Sequence, residues 1–216
     1  MSDVTAILTS YKRGINVPRI IDNLARQSIK PRIVLIDTEN SYSGEGADEV
    51  WRVPRPVGAY PRWQIASYYG PWIYIQDDDI LPTSPYLIES LLEKSKGGRS
   101  IIGPRARDVW FDVPHYMHDD AIGPMTNNIK GGCCLFNRYA LNYVRTPPDW
   151  VTQRCDDLWV SLETGRGKKI HVVAKWARDM IMDLPVLASR PGFCKEPEHY
   201  TEREAFCARW LTENLS

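Results

Sequence analysis

Gln76-Asp77-Asp78-Asp79-Ile80 sets three carboxylates side by side at the end of the apolar run Trp72-Ile73-Tyr74-Ile75. Neighbouring carboxylates repel, and seating them at the tip of a buried strand is unfavourable unless a cation or a set of hydrogen bonds offsets the repulsion. A hard divalent cation, Mn²⁺ or Mg²⁺, does this well, because it takes oxygen ligands and keeps coordination positions open for phosphates. In such an arrangement one of the three carboxylates meets the metal and another faces a sugar or ribose. A solvated acidic turn is the competing reading of any such triplet. The strand context and a second acidic pair weigh against it.

That second pair, in Cys155-Asp156-Asp157-Leu158, opens an amphipathic segment. The helix dipole favours carboxylates in a first turn whatever their role, so the pair alone reads as a cap. In company with the triplet, Asp156 and Asp157 become candidates for a carboxylate beside a reacting carbon, as a base for a hydroxyl or as a stabiliser of a positively charged transition state. His199 and Arg203 are four apart on a helical pattern and share a face, so an imidazole and a guanidinium could reach one diphosphate; a solvated face among glutamates is the alternative. Arg13 and Arg62 are phosphate candidates by position only. His115, His118 and His171 show no ligand spacing, and His171 inside an apolar strand reads as packed.

These groups need a scaffold that gathers them. Residues 5–9 read as a strand running into the polar turn 10–14, residues 17–27 as a helix carrying Ile20, Ile21, Leu24 and Ala25 on one face, and 32–37 as a buried strand ending on Asp37. That β-α-β pattern demands a parallel sheet, and ligands of such sheets lie beyond the carboxyl ends of the strands. Ser10 to Arg13, Asp37 and Asp77 therefore meet on one edge. Further along, the patterns predict a short strand near 51–53, a short helix at 62–69, a strand at 72–76 and a helix at 84–94 capped by Ser84, with Pro85 first and Gly97-Gly98 ending it. Strands at 100–103, 109–111 and 169–173 follow, with helices near 138–143, 156–163 and 198–211, while 112–128 has no periodicity and is expected to be a mobile loop.

With 216 residues, 43% of them hydrophobic, the chain suits a single domain spanning 1–216. Lys plus Arg number 27 and so do Asp plus Glu, so the overall field attracts neither nucleic acid nor an anionic membrane, and a polyanionic partner must be held by a local patch. The start lacks the marks of a secretion signal, and no run approaches the roughly 20 apolar residues of a membrane span, so a cytoplasmic protein is expected. Five cysteines without a CxxC pair argue against a zinc ribbon and for reduced thiols.

Thr9-Ser-Tyr-Lys-Arg13, Gln76-Asp-Asp-Asp-Ile80, Lys130-Gly-Gly-Cys-Cys-Leu-Phe-Asn-Arg-Tyr139, Arg154-Cys-Asp-Asp-Leu158 and Glu198-His199 with Arg203 and Cys207 resemble, in order and approximate spacing, the exostosin-like transferase domain. The resemblance implies an α/β fold of the GT-A type, a Rossmann-like mixed sheet with flanking helices in a single domain. It also implies a glycosyltransferase that moves a hexose or N-acetylhexosamine from a UDP-sugar, with retention and with Mn²⁺. By position, Asp79 would bind the metal, Asp77 and Asp78 the ribose and donor sugar, and Asp157 would sit at the reacting centre. Arg203 would brace the diphosphate with His199 beside it, and Ser10, Arg13 and Arg62 would line the donor site. Cys155 and Cys207 match cysteines that are bridged in that family, so they are expected side by side. The acceptor stays open among a glycan, a small molecule and a hydroxymethylated base in phage DNA. An inverting transferase, with Asp156 or Asp157 as base, and a non-catalytic nucleotide-sugar-binding protein are the competing readings.

Overall fold

The computed structural model describes residues 3–38, 40, 42–53, 60–110, 121, 123–151, 154–185 and 198–215. The elements run β1 (Val4–Ser10), α1 (Val17–Ala25), β2 (Arg32–Asp37), β3 (Glu49–Arg52), α2 (Pro61–Ala66), β4 (Trp72–Asp77), β5 (Ile80–Pro82), α3 (Leu87–Lys94) and β6 (Ile101–Gly103). They continue with β7 (Met125–Thr126), β8 (Cys133–Asn137), α4 (Asp156–Gly165), β9 (His171–Val173), β10 (Ile181–Asp183) and α5 (Glu198–Leu215). Short 3-10 turns lie at Gly14–Asn16, Arg138–Tyr143 and Lys175–Met180. No helix among the described residues is long and apolar enough to cross a membrane.

An eight-stranded mixed sheet in the order β3-β2-β1-β4-β8-β6-β9-β7 forms the middle layer. Strands β1, β2, β3 and β4 are mutually parallel, as the β-α-β pattern requires, whereas β8 runs antiparallel to β4 and β6. The register sets Ser10 opposite Asp37 and Thr9 opposite Asp77, so the carboxyl ends of β1, β2 and β4 finish together. Alternation along the strands sends side chains into two cores. On one face Ile7, Ile73, Ile75 and Phe136 pack with Trp63, Trp159, Phe206 and Trp210; on the other Leu8, Leu35 and Tyr74 pack with Ile20, Leu24, Ile88 and Leu91. Both faces are thus covered, which is what apolar parallel strands need.

Several elements differ from their sequence patterns. Ser84 does not cap α3; its hydroxyl accepts the Tyr86 amide at 3.2 Å within a turn, and the helix begins only at Leu87. Residues 138–143 wind as a 3-10 turn, and no named strand forms at Val109 and Trp110, with Phe111 outside the described residues. The expected mobile loop at 112–128 is corrected in its last part: Met125–Thr126 pairs with β9, and Thr126, Asn127 and Asn128 are buried. Residues 112–120, with His115 and His118, lie outside the described residues, as does Cys194. His171 is packed, as expected: its Nδ1 accepts the Ile101 amide at 3.1 Å, its Nε2 donates to the Ser161 carbonyl at 2.8 Å, and burial lowers its pKa to about 4. Cys155 and Cys207 are free, buried thiols. Burial first, and then nearby groups that include Cys155, push the Cys207 thiol up to about 12, so the two sulfurs do share one neighbourhood.

Candidate functional site

The loop after β1 grips the acidic triplet. Lys12 takes the left-handed conformation (φ 63°), which bends the chain so that the Tyr11 amide donates to Asp78 Oδ2 at 2.7 Å and Arg13 reaches Asp78 Oδ1 at 2.8 Å and Asp79 Oδ2 at 2.9 Å. Asn16 Nδ2 donates to the Asp78 carbonyl at 2.8 Å. From below, Gln76 Nε2 donates to the carbonyls of Asp77 and Ile80 at 2.8 and 2.7 Å, pinning the turn between β4 and β5. Ser10 is fully buried and spends its carbonyl on Thr38, while Asp37 accepts Arg52 Nη1 at 2.8 Å.

Arg62, at 3% exposure, joins the triplet to the second acidic pair. Its Nη1 donates to Asp77 Oδ1, and its Nη2 and Nε donate to Asp156 Oδ2 at 2.8 and 3.1 Å. Trp63 Nε1 adds a third bond to the same Asp156 oxygen at 2.7 Å. Helix α4 opens with these acids, and the next one, Asp157, forms a two-pronged pair with Arg203 of α5, Oδ1 to Nη1 at 2.9 Å and Oδ2 to Nη2 at 3.1 Å. Arg203 Nη1 also donates to the Arg154 carbonyl at 2.6 Å. Gly131 and Gly132 lie where side chains would intrude: a Cβ on Gly131 would stand 2.5 Å from Arg62 Nη2, and one on Gly132 would stand 2.9 Å from Asp77 Oδ2. The structure therefore brings Arg13, Arg62, Asp77, Asp78, Asp79, Asp156, Asp157 and Arg203 into one network, with Ser10 at its strand end.

Protonation follows from this burial. Loss of water pushes Asp78 up to about 7 against the pull of Arg13, and pushes Asp77 up to about 6 against Arg62, with Asp79 and Asp156 adding repulsion. Asp77 keeps 35% of its side-chain surface exposed and Asp78 only 4%, so Asp78 is the firmer case. Burial also works against the charge of Asp157, yet the Arg203 and Arg62 guanidiniums and the Gly131 amide hold its carboxyl below the ordinary range. His199 is lowered to about 4 by burial and then by Arg203, and its Nδ1 has no hydrogen-bond partner among the described residues. Its imidazole is therefore neutral near neutral pH and stands beside Arg203 as a hydrogen-bonding group.

A divalent cation fits this arrangement. Among the described residues five carboxylates (Asp77, Asp78, Asp79, Asp156 and Asp157) meet three guanidiniums (Arg13, Arg62 and Arg203), an excess of two negative charges. Asp77 and Asp79 are the two with side-chain oxygens toward solvent, at 35% and 25% exposure, and they are hard donors. Among the described residues no group of three or more His, Cys, Asp or Glu side chains is placed to hold a metal ion.

Sequence reasoning missed the structural parts of this site. Trp63, Asn16 and Gln76 carry no motif of their own. Gly131 and Gly132 did carry a signal, two consecutive glycines running directly into an apolar strand, which marks a close approach rather than a turn.

No protein-family model matches the chain, and no curated protein matches it. Solved structures do. The mannosyltransferase PcManGT from Pyrobaculum calidifontis, in complex with GDP-Man and Mn²⁺, superposes with a TM-score of 0.62 over 99% of this chain and 74% of its own, at 13% identity. GalNAc-T7 with UDP, GalNAc and Mn²⁺ gives 0.66 over 97% of this chain at 12% identity, and this chain spans about half of it (48%). A cytidylyltransferase from Leptospira borgpetersenii serovar Hardjo-bovis (strain JB197) gives 0.50 over 79% of this chain and 75% of its own, at 12% identity. The likeness is one of fold. The chain has the GT-A glycosyltransferase fold, a large mixed sheet flanked by helices.

Two outcomes test the geometry. Gly131→Ala forces Arg62 out of its place and is expected to lower stability by about 1–3 kcal/mol in urea melts, the usual penalty of overpacking. A neutral effect would mean that Arg62 yields freely. The second concerns pH. Asp78 binds its proton more tightly folded (about 7) than unfolded (3.8), so it adds stability as pH falls through that window and loses it as pH rises. In metal-free buffer the melting temperature of Asp78→Asn minus that of wild type should therefore rise from pH 5 to pH 8, roughly spanning this window. A flat or falling difference contradicts the burial argument.

Proposed function

We propose that this chain is a metal-dependent glycosyltransferase, one domain over 1–216, that moves a hexose or N-acetylhexosamine from a UDP-sugar to an acceptor hydroxyl with retention, in the manner of the exostosin-like enzymes. The observation that carries the reading is Arg62, which ties Asp77 at the end of β4 to Asp156 at the start of α4, beside the Asp157–Arg203 pair. The GDP-Man and UDP complexes of the two transferase neighbours, both with Mn²⁺, support a nucleotide sugar and a divalent metal. The cytidylyltransferase neighbour is a reminder that a nucleotide-binding fold serves several transfers, so the argument rests on the site.

In this reading Asp79 and Asp77 hold Mn²⁺ or Mg²⁺, which when bound neutralises charge on the donor diphosphate. Asp78, fixed by Arg13 and the Tyr11 amide, orients the ribose or donor sugar beside Ser10. Asp156, whose Oδ2 accepts three hydrogen bonds from Arg62 and Trp63, acts as the anchor of Arg62. Asp157 faces the anomeric carbon. A general base works best with a pKa near the working pH, whereas Asp157 is held below the ordinary carboxylate range, so it stays ionised and stabilises developing positive charge rather than taking a proton. That favours retention over an inverting attack. Arg203 positions Asp157 and lends its charge to the leaving diphosphate, and His199 stands by as a neutral imidazole.

Calorimetry with UDP and Mn²⁺ checks the donor site: Asp79→Ala should abolish the metal-dependent part of UDP binding, and undiminished binding would remove the proposed metal site. Wild type at 100 times the dissociation constant should gain about 2.7 kcal/mol of stability. Asp157→Asn should keep UDP binding but lose slow hydrolysis of the UDP-sugar, a leakage that a mere binding protein does not show. The anomeric configuration of an isolated product separates retention from inversion.

A further inference from the structure

Behind the acidic turn a chain of hydrogen bonds runs through the apolar core. Tyr74 and Gln76 are two apart on β4, so their side chains share one face of the sheet, and Cys133 of β8 stands opposite Gln76 in the antiparallel register. All three are buried, and the neighbouring strands set Leu8 beside Gln76 and Leu135 beside Tyr74. The Tyr74 hydroxyl donates to Gln76 Oε1 at 2.7 Å. With that proton spent, the phenol oxygen accepts from the Cys133 thiol at 3.1 Å. Gln76 Nε2 carries the chain on to the carbonyls of Asp77 and Ile80 at 2.8 and 2.7 Å. The amide has one stable orientation, because reversing it would turn Oε1 against two carbonyl oxygens and leave the Tyr74 hydroxyl facing N–H groups. Burial pushes the Tyr74 phenol well above its ordinary value and the Cys133 thiol up to about 12, so both protons stay in place.

We infer that Tyr74 and Gln76 are positioning residues that set the affinity of the acidic turn for its divalent cation. The inference rests on the metal site of the transferase reading, and adds what holds that site in shape. The four backbone carbonyls from Asp77 to Ile80 are all held: the first and last by Gln76, that of Asp78 by Asn16 Nδ2 at 2.8 Å, and that of Asp79 by the Leu184 amide at 2.8 Å. One buried amide thus fixes the span of a turn that carries three mutually repelling carboxylates. Released from it, the turn can open and let the acids move apart, and a small cation that demands close, well-placed oxygens binds less tightly. Burying a phenol and a carboxamide among leucines is unfavourable unless both are bonded, and here the bonds that offset this lead from the core to the turn of the acids.

Calorimetric titration with Mn²⁺ alone, and with UDP in the presence and absence of Mn²⁺, compares wild type with Tyr74→Phe, Gln76→Glu and Ile73→Val. Tyr74→Phe removes one hydroxyl, and Gln76→Glu removes the amide's N–H donors at nearly constant volume. Each is expected to weaken Mn²⁺ binding about tenfold, as the loss of a group that orients metal ligands does, with metal-free UDP binding unchanged. For Gln76→Glu the sign is informative, since charge alone would make an added carboxylate beside the acids bind Mn²⁺ more tightly. Ile73→Val trims the same strand on its other face, so its urea midpoint should fall while its Mn²⁺ affinity stays at the wild-type value. Should Gln76→Glu fail to fold, Tyr74→Phe decides. Mn²⁺ affinity untouched in Tyr74→Phe, tighter binding in Gln76→Glu, a loss of equal size in Ile73→Val, or metal-free UDP binding that falls in step would each overturn the positioning role and leave the transferase reading standing. No Mn²⁺ binding by wild type, alone or with UDP, overturns the metal site of that reading and the positioning role with it.

Discussion

The buried guanidinium of Arg62 is the contact on which the site depends. It lies between Asp77 and Asp156, two carboxylates from distant parts of the chain, and the geometry uses three of its nitrogens. A buried ion pair is tolerated only when its hydrogen bonds are nearly complete, and removing one partner generally costs about 3–5 kcal/mol because the other charge is left stranded. Trp63 completes the arrangement on the Asp156 side, and the bare Cα atoms of Gly131 and Gly132 leave room for the guanidinium and for Asp77. The sheet brings β4 to the right edge, but Arg62 is what joins that edge to α4.

Around this contact the carboxylates are tuned in opposite directions. Asp77 and Asp78 are pushed up by burial because one arginine each is too little compensation for three adjacent acids. Asp157 is no less removed from water, yet the two-pronged Arg203 pair outweighs the desolvation and keeps it ionised. The first set holds its protons more tightly than free carboxylates do, and the second stays negative. This is a division of labour that types and spacing alone do not encode, since all five residues are aspartates.

Much of the scaffold was legible. Apolar runs with β-branched residues and a helical period between them gave the parallel strands β1, β2 and β4, and carboxylates ending two of them marked the edge where the acidic network gathers. The sign and type of each site residue were readable for the same reason: a buried strand end tolerates Asp77 to Asp79 only with compensation. What escaped was short or long-range. Strands β5, β7 and β10 have two or three residues each and no period to detect. Ser84-Pro85 looks like a helix start, but the backbone amides of Thr83 and Ser84 are drawn to the Met180 carbonyl instead, so a tertiary contact overrides the local signal. The Trp63 bond to Asp156 crosses 93 residues, and no local pattern announces it.

Charge accounting explains why these features belong together. Among the described residues Arg13, Arg62 and Arg203 do not balance five aspartates, and His199 is kept neutral by burial and then by Arg203. Were His199 charged, it would take up half of the deficit. With it neutral, the deficit stays at two, the charge of one divalent ion, and it falls on the acids with oxygens toward solvent, Asp77 and Asp79. In the absence of a cation part of this excess is relieved by protons on Asp78 and Asp77, whose carboxyls burial pushes up to about 7 and about 6. The raised acids and the neutral histidine are therefore both consequences of lost water, with neighbouring carboxylates adding to the first and the Arg203 guanidinium to the second.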